Sequence, residues 1–407
     1  MTAKGIYVTI DQRLAEVRGF GPGFDALRVA LAICVVWIHV PPITGSPAFT
    51  EPLWMFPFSL LPMFFALSGF LVAGSAGRLT LRAFVANRAF RILPALAVEI
   101  CLSALVLGPI VTQDSLQAYF SDIKFYRYFC NIFGFIQYQL PGVFLNSRYT
   151  GVVNGSLWTV PHEIFCYILM SVIILFGLLK RPFVVLALTL LVLVIAIVLQ
   201  STEPHESSLF LRLDYAFVYR GAARLVPAFL IGGLIYQYRA SVPFDWRIAL
   251  ACAVGCIGFQ VLGNSQWQGL VWVQALSTPL LAYITVFVGL SGIPKLPILK
   301  GGDYSYGIYL YSCPIQQTLI WALPALTNNA FNFFISLLLS TAFAAFSWHI
   351  IEEPALRFRK SFSLHRADGD IPDPGAQRLS DRRDTREPKT SNPGGIVLSS
   401  AQQRSAQ

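Results

Sequence analysis

The stretch from Phe183 to Gln200, FVVLALTLLVLVIAIVLQ, runs about 18 residues without a charged side chain. As a helix it would be roughly 27 Å long at 1.5 Å per residue, close to the ~30 Å hydrocarbon core of a bilayer. Lys180, Arg181 and Pro182 precede it and the polar run from Ser201 follows it. The block is therefore bounded as a membrane span is bounded.

Similar blocks recur on both sides. Of 407 residues, 55% are hydrophobic and 13% charged, where a soluble domain carries about 25% charged residues. We expect an all-α polytopic membrane protein with about ten transmembrane helices, over 24–43, 56–76, 92–112, 156–179, 182–200, 221–238, 247–263, 270–290, 304–324 and 331–352. With the N-terminus inside, the inner loops up to residue 360 hold 16 Lys and Arg. The outer loops hold five: Lys124, Arg127, Arg148, Arg212 and Arg220. Positive charge concentrates on the cytoplasmic side, so both termini are expected there. A polar leader, 1–23, precedes the first block without a small-residue cleavage site, so the spans themselves should direct insertion. Residues 24–360 form one membrane domain, and 361–407, rich in Ser, Arg, Asp, Gln, Pro and Gly, read as a disordered cytoplasmic tail. The net charge of +9 is scattered through short loops, so no nucleic-acid partner is expected. The seven cysteines lie mostly in apolar blocks, and no His stands near the Cys252–Cys256 pair, so no metal site is expected. The aromatic segment 113–155 reads either as part of an external vestibule or as an interfacial anchor.

Ionisable residues inside hydrocarbon are costly, and each is a functional candidate. They are Asp25, Arg28, His39, Glu99, His162, Glu163, Arg224 and the Glu352–Glu353 pair. Arg28 and His39 are eleven residues apart, which brings them to one helix face about 16 Å apart along the axis. Asp25 can pair with Arg28. Either the two mark a functional strip, or Arg28 snorkels and His39 merely bonds a neighbouring helix. Glu163 would lie at a depth similar to His39, as a base's orienting partner or as part of a polar clasp between helices. Arg88 and Arg91 precede Pro94 in a stretch, 77–91, without an acidic residue. Their forks suit phosphate oxygens; topology signal or anionic-lipid contact is the alternative.

The order of these fragments resembles the acyltransferase 3 family of membrane acyltransferases. D-x-L-R followed by a histidine three turns on is matched by Asp25, Leu27, Arg28 and His39. F-F-x-L-S-G-F-L is matched by Phe64 to Leu71, including Ser68. R-x-x-R before proline is matched by Arg88, Arg91 and Pro94, and S-L-W-x-x-x-x-E by Ser156, Leu157, Trp158 and Glu163. S-Y-x-x-Y-L is matched by Ser305, Tyr306, Tyr309 and Leu310, and I-E-x-P by Ile351, Glu352 and Pro354. Ser312 stands where many members have a histidine.

The resemblance implies transfer of an acyl group, acetyl first among the candidates, from cytoplasmic acyl-coenzyme A (acyl-CoA). The acceptor would be a hydroxyl of a cell-surface or exported glycan, polysaccharide or lipid-linked, at the bacterial inner membrane. It further implies His39, Glu163 and Arg28 as catalytic residues and Arg88 and Arg91 as the coenzyme A site. Asp25, Ser68, Trp158, His162, Tyr306 and Tyr309 are substrate or structural candidates. A transporter or flippase of glycan precursors is the rival reading, and a non-catalytic scaffold a third. Transporters of that kind are built from inverted repeats and broken helices, and no such pairing is found in this sequence.

Overall fold

The computed structural model describes residues 7–19, 21–46, 53–201, 221–293, 302–324 and 328–358. Among these, the regular structure is helical, with one isolated β-bridge between Thr9 and Pro243. The tail over 361–407 lies outside the described residues.

The chain runs through α1 (Ile10–Glu16), α2 (Phe24–Thr44), α3 (Met55–Ala76), α4 (Leu81–Val111), α5 (Leu116–Ser121) and α6 (Ile123–Tyr128). It continues through α7 (Gly155–Leu175), α8 (Pro182–Ser201), α9 (Ala222–Gln237), α10 (Trp246–Leu262), α11 (Val271–Leu290), α12 (Ser305–Ala322) and α13 (Asn329–Arg357). Six of these, α2, α3, α4, α7, α11 and α13, are long and apolar enough to cross a membrane. Shorter apolar helices cover 182–198, Ala222–Gln237 and Trp246–Leu262. The protein is a polytopic helical membrane protein.

The distribution of side chains is that of a bilayer-soluble bundle. Large apolar residues face outward, as at Leu262, Phe334, Leu338 and Ile350, whereas Gln274, Ser277, Gln316, Gln317 and Asn332 are buried. On α13 the buried polar residues Asn332, Ser336, Ser340 and Ser347 recur at spacings of four, four and seven residues. That periodicity puts them on one helical face, which packs against α12. Small side chains let backbones approach where hydrocarbon supplies no hydrophobic drive. The closest approach is between α3 and α9: a Cβ on Gly69 would collide with the Phe229 carbonyl, and one on Gly232 with that of Ala66.

Two elements differ from the sequence reading. The helix of α4 starts at Leu81, eleven residues before the expected span, so Arg82 also rides on it together with Arg88 and Arg91. Its 31 residues make roughly 46 Å, longer than a bilayer core, so its first turns extend beyond the apolar part. Within the 1–23 leader, α1 is a capped helix. Thr9 and Gln12 form a capping box, a T-x-x-Q signal present in the sequence, and the Asp11–Arg239 ion pair ties α1 to the end of α9. The 113–155 segment is a cap with two faces. Tyr119, Phe125, Tyr128, Leu140 and Phe144 are buried against α4 and α7, while Tyr126, Phe133 and Phe135 are exposed.

Candidate active site

The site begins where four helices meet at one end of the bundle. Arg28, one turn into α2, places Nη1 3.2 Å from Asp303 Oδ2, and Arg91 on α4 places Nη2 2.8 Å from the same oxygen. The other arm of Arg91 reaches Glu352 at 2.9 Å. Asp303 stands just before α12, where Ser305 donates from both its backbone N–H and its hydroxyl to Oδ1. Burial alone would raise this carboxyl. The Arg91 and Arg28 guanidiniums outweigh it and hold Asp303 well below the usual carboxylate range. The expected partner of Arg28, Asp25, is 3.9 Å away, a longer contact than Asp303.

Above this charge cluster lies a cavity of about 140 Å³. Arg28, Arg88, Arg91, Ser68, Glu163, Tyr306 and Tyr309 line it, within walls supplied by Leu61, Phe64, Phe65, Leu71 and Phe229. No carboxylate among the described residues pairs with Arg88; its guanidinium lies against the rings of Phe84 and Tyr167, and its Nε is buried without a hydrogen bond. Glu163 accepts from the Tyr167 hydroxyl at 2.6 Å, and that hydroxyl is 3.5 Å from Ser68 Oγ. Tyr306 sits under the Arg91 guanidinium.

His39 lines a second cavity, of about 180 Å³, with Val35, Ile38, Phe58, Trp158, Arg224 and Gln268. Its Nδ1 is 2.8 Å from the Val35 carbonyl. A carbonyl oxygen only accepts, so Nδ1 carries the proton and Nε2 of the neutral ring keeps its lone pair. Leu61 and Tyr309 line both cavities. Tyr309 is fixed by its hydroxyl, 2.7 Å from Thr159 Oγ1 and donating to the Ser156 carbonyl at 3.0 Å.

Of the two residues on α2 set eleven apart, Arg28 lines one cavity and His39 its neighbour. Two expected pairings are not formed. Glu163 makes no hydrogen bond to His39, because the Val35 carbonyl one turn below already orients the ring. Arg88 and Arg91 do not offer two open forks to one anion, because Arg91 is already engaged by Asp303 and Glu352. His162 lines neither cavity; its Nδ1 turns back to the Trp158 carbonyl.

Sequence reasoning passed over Asp303, which lies one residue outside the expected span. The signal was indirect: arginines gathered without acidic neighbours require carboxylates from elsewhere in the chain. Glu99 was named without a role. It is 1% exposed and accepts from Ser103 and from Asn154, whose amide also donates to the Leu310 carbonyl. That buried strut braces the turn leading into Ser156-Leu157-Trp158. No cluster of metal-ligating side chains occurs among the described residues.

Fold and site together define an integral membrane protein with a polar, cavity-bearing interior carrying an oriented imidazole and a set of inward arginines. A family model described as an acyltransferase domain matches residues 22–349, and the chain belongs to that family, acyltransferase 3, and is an acyltransferase. It is similar to an O-acetyl transferase of Shigella phage Sf6, 29% identical over 343 residues, covering 81% of this chain and 94% of that protein. It is also similar to Nodulation protein 10 of Rhizobium leguminosarum bv. viciae, 28% identical over 375 residues, covering 86% and 96%. No solved structure matches.

Proposed function

We propose that the protein is an O-acyltransferase that moves an acyl group, acetyl first, from cytoplasmic acyl-CoA to a hydroxyl of a cell-surface or exported glycan. The single observation that carries this reading is the pair of cavities sharing the Leu61–Tyr309 wall, one with Arg88 on it and the other with His39. The apolar blocks support ten spans, and the Lys and Arg bias of the loops supports an orientation with the Arg28–Arg91–Asp303 end and both termini in the cytoplasm, at the bacterial inner membrane. The phage relative's name supports acetyl transfer to oxygen.

In this reading Arg88 holds coenzyme A phosphate, as the guanidinium of the R-x-x-R pair that no carboxylate among the described residues engages. The apolar walls of the first cavity suit the thioester arm, which brings the acyl carbon to the Leu61–Tyr309 wall. On the far side, His39 Nε2 takes the proton of the acceptor hydroxyl as its oxygen attacks the thioester carbonyl. The carbon–sulfur bond breaks, and the same nitrogen returns the proton to the departing thiolate. An ester and free coenzyme A result, and the enzyme is unchanged. Arg28 and Arg91 act through Asp303, which locks α2, α4, α12 and α13 together beneath the donor cavity. Glu163, held by Tyr167, faces the donor cavity and orients what enters it. Acyl transfer at a neutral imidazole needs no metal.

The test is incubation of purified protein with labelled acetyl-CoA and glycan acceptor. Label should appear in ester linkage with wild type and not with His39→Ala, while both proteins elute alike on size exclusion. Equal labelling would remove His39 as the base. Movement of unmodified glycan across vesicles without thioester consumption would favour the flippase.

A further inference from the structure

Among the described arginines inside the bundle, Arg224 differs from the rest in its place. Arg28 and Arg91 meet Asp303 and Glu352, and Arg88 faces the cavity assigned to the donor. Arg224 lines the other cavity, beside His39. No carboxylate among the described residues pairs with it; its guanidinium carbon lies 4.6 Å over the Phe58 ring, and its Nε is buried without a hydrogen bond. A guanidinium at this depth is costly to insert, and one aromatic face offsets only part of the loss of water. The charge is thus held ready in the chamber where the acceptor hydroxyl must lie.

The rest of the lining says what kind of molecule fits. At roughly 30 Å³ of liquid volume per water, a cavity of about 180 Å³ has room for about six waters, of the order of one sugar ring and more than an acetyl group needs. Trp158 offers an aromatic face, and Gln268 an amide whose N–H₂ already donates to the Trp54 carbonyl. Such a mixture suits a sugar ring. The fixed positive charge adds a demand that a neutral sugar does not meet.

We propose that the His39 cavity is an acceptor subsite selective for a sugar carrying a negative charge, and that Arg224 binds that charge. The ligand class is a glycosyl unit bearing a carboxylate or a phosphate ester close to the hydroxyl to be acylated. This rests on the assignment of the His39 cavity to the acceptor. Arg224 is a binding residue here and transfers no proton. A bidentate, charge-assisted contact of this type strengthens binding by about ten- to a hundred-fold.

The experiment is calorimetric titration of the full chain in nanodiscs with methyl β-D-glucuronide, glucose 1-phosphate and methyl β-D-glucoside. Wild type, Arg224→Gln, Arg224→Lys and Arg88→Gln are compared, with acetyl-CoA titrated separately into each. Wild type should bind at least one anionic sugar ten-fold or more tighter than the glucoside; whichever is favoured names carboxylate or phosphate as the charge. Arg224→Gln should abolish that preference while leaving the glucoside and acetyl-CoA affinities unchanged. Arg224→Lys, which keeps the charge and loses the fork, should retain part of it. No anionic preference in wild type overturns the proposal, as does a preference that survives Arg224→Gln and disappears in Arg88→Gln. If Arg224→Gln does not fold, an unaltered preference in Arg224→Lys overturns the bidentate contact. Failure of acetyl-CoA to bind wild type would instead strike at the donor assignment, independently of the sugar results.

Discussion

The two ends of α2 treat charge in opposite ways. Around Arg28 the positive charges are matched within the chain: Asp303 accepts from Arg28 and Arg91, and Glu352 takes the other arm of Arg91. Around His39 the imidazole keeps Nε2 open and Arg224 has no carboxylate among the described residues. Charges that a fold neutralises from its own sequence hold helices together; charges left facing a cavity wait for something from outside. Substitutions of the paired charges at the first end should therefore destabilise the fold, and substitution of His39 at the second should leave it folded and inactive.

The largest effect that could break this contrast is at His39. His39→Ala should lower acyl transfer by about 10²- to 10⁴-fold, the range general acid–base groups supply, with the thermal unfolding midpoint unchanged. A fall in the midpoint with activity retained would place His39 among the structural residues and collapse the comparison.

At the paired end the reverse is expected. Asp303→Asn leaves two guanidiniums without their shared counter-charge and should destabilise the fold by about 3 kcal/mol, the lower end of the range for breaking a buried pair, since these side chains keep about a fifth of their surface exposed. The check is the unfolding midpoint in detergent, with Arg91→Met in a double-mutant cycle; coupling below ~0.5 kcal/mol would return the pair to ordinary surface behaviour. The pH dependence has a definite sign. Because the folded carboxyl is held below its unfolded range near 3.9, its contribution is fully present above that value and is lost as pH falls toward the folded one. Between pH 6 and 8 this group should contribute no change.

Arg88 separates the two members of the R-x-x-R pair. Arg88→Gln should raise the KM for acyl-CoA by about ten-fold, the weight of a lost charge-assisted contact, and leave the acceptor KM and the unfolding midpoint unchanged. Arg91→Gln should instead lower the midpoint. Identical behaviour of the two variants would mean that both arginines serve the fold.

How much of this the sequence carries depends on the range of the interaction. The apolar blocks, the shared face of Arg28 and His39 and the inward polar stripe of α13 follow from local periodicity, so they are legible residue by residue. The Thr9–Gln12 capping box is local too, a four-residue signal inside the polar leader. The Arg91–Asp303 contact spans 212 residues, and no spacing rule reaches that far. The orientation of His39 shows a subtler failure. Sequence depth pointed to Glu163, whereas the partner is the carbonyl four residues back, a backbone atom every helix offers and composition cannot reveal.

The smallest expected effect tests whether the two cavities work as one site. Tyr309 belongs to both linings and anchors the Ser156–Thr159 turn that carries Trp158 into the His39 cavity. Tyr309→Phe keeps the ring and the wall but removes the hydroxyl bonds, worth about 1 kcal/mol or roughly five-fold in rate if the turn loosens. Leu61→Ala opens the same wall while sparing those bonds. If the wall only separates two independent sites, neither change should alter which acyl chain is used. If it is the point where thioester and hydroxyl meet, Leu61→Ala should raise the relative kcat/KM for propionyl- and butyryl-CoA over acetyl-CoA. Tyr309→Phe should then slow all three donors alike, because it shifts the acceptor side and leaves the donor side its shape.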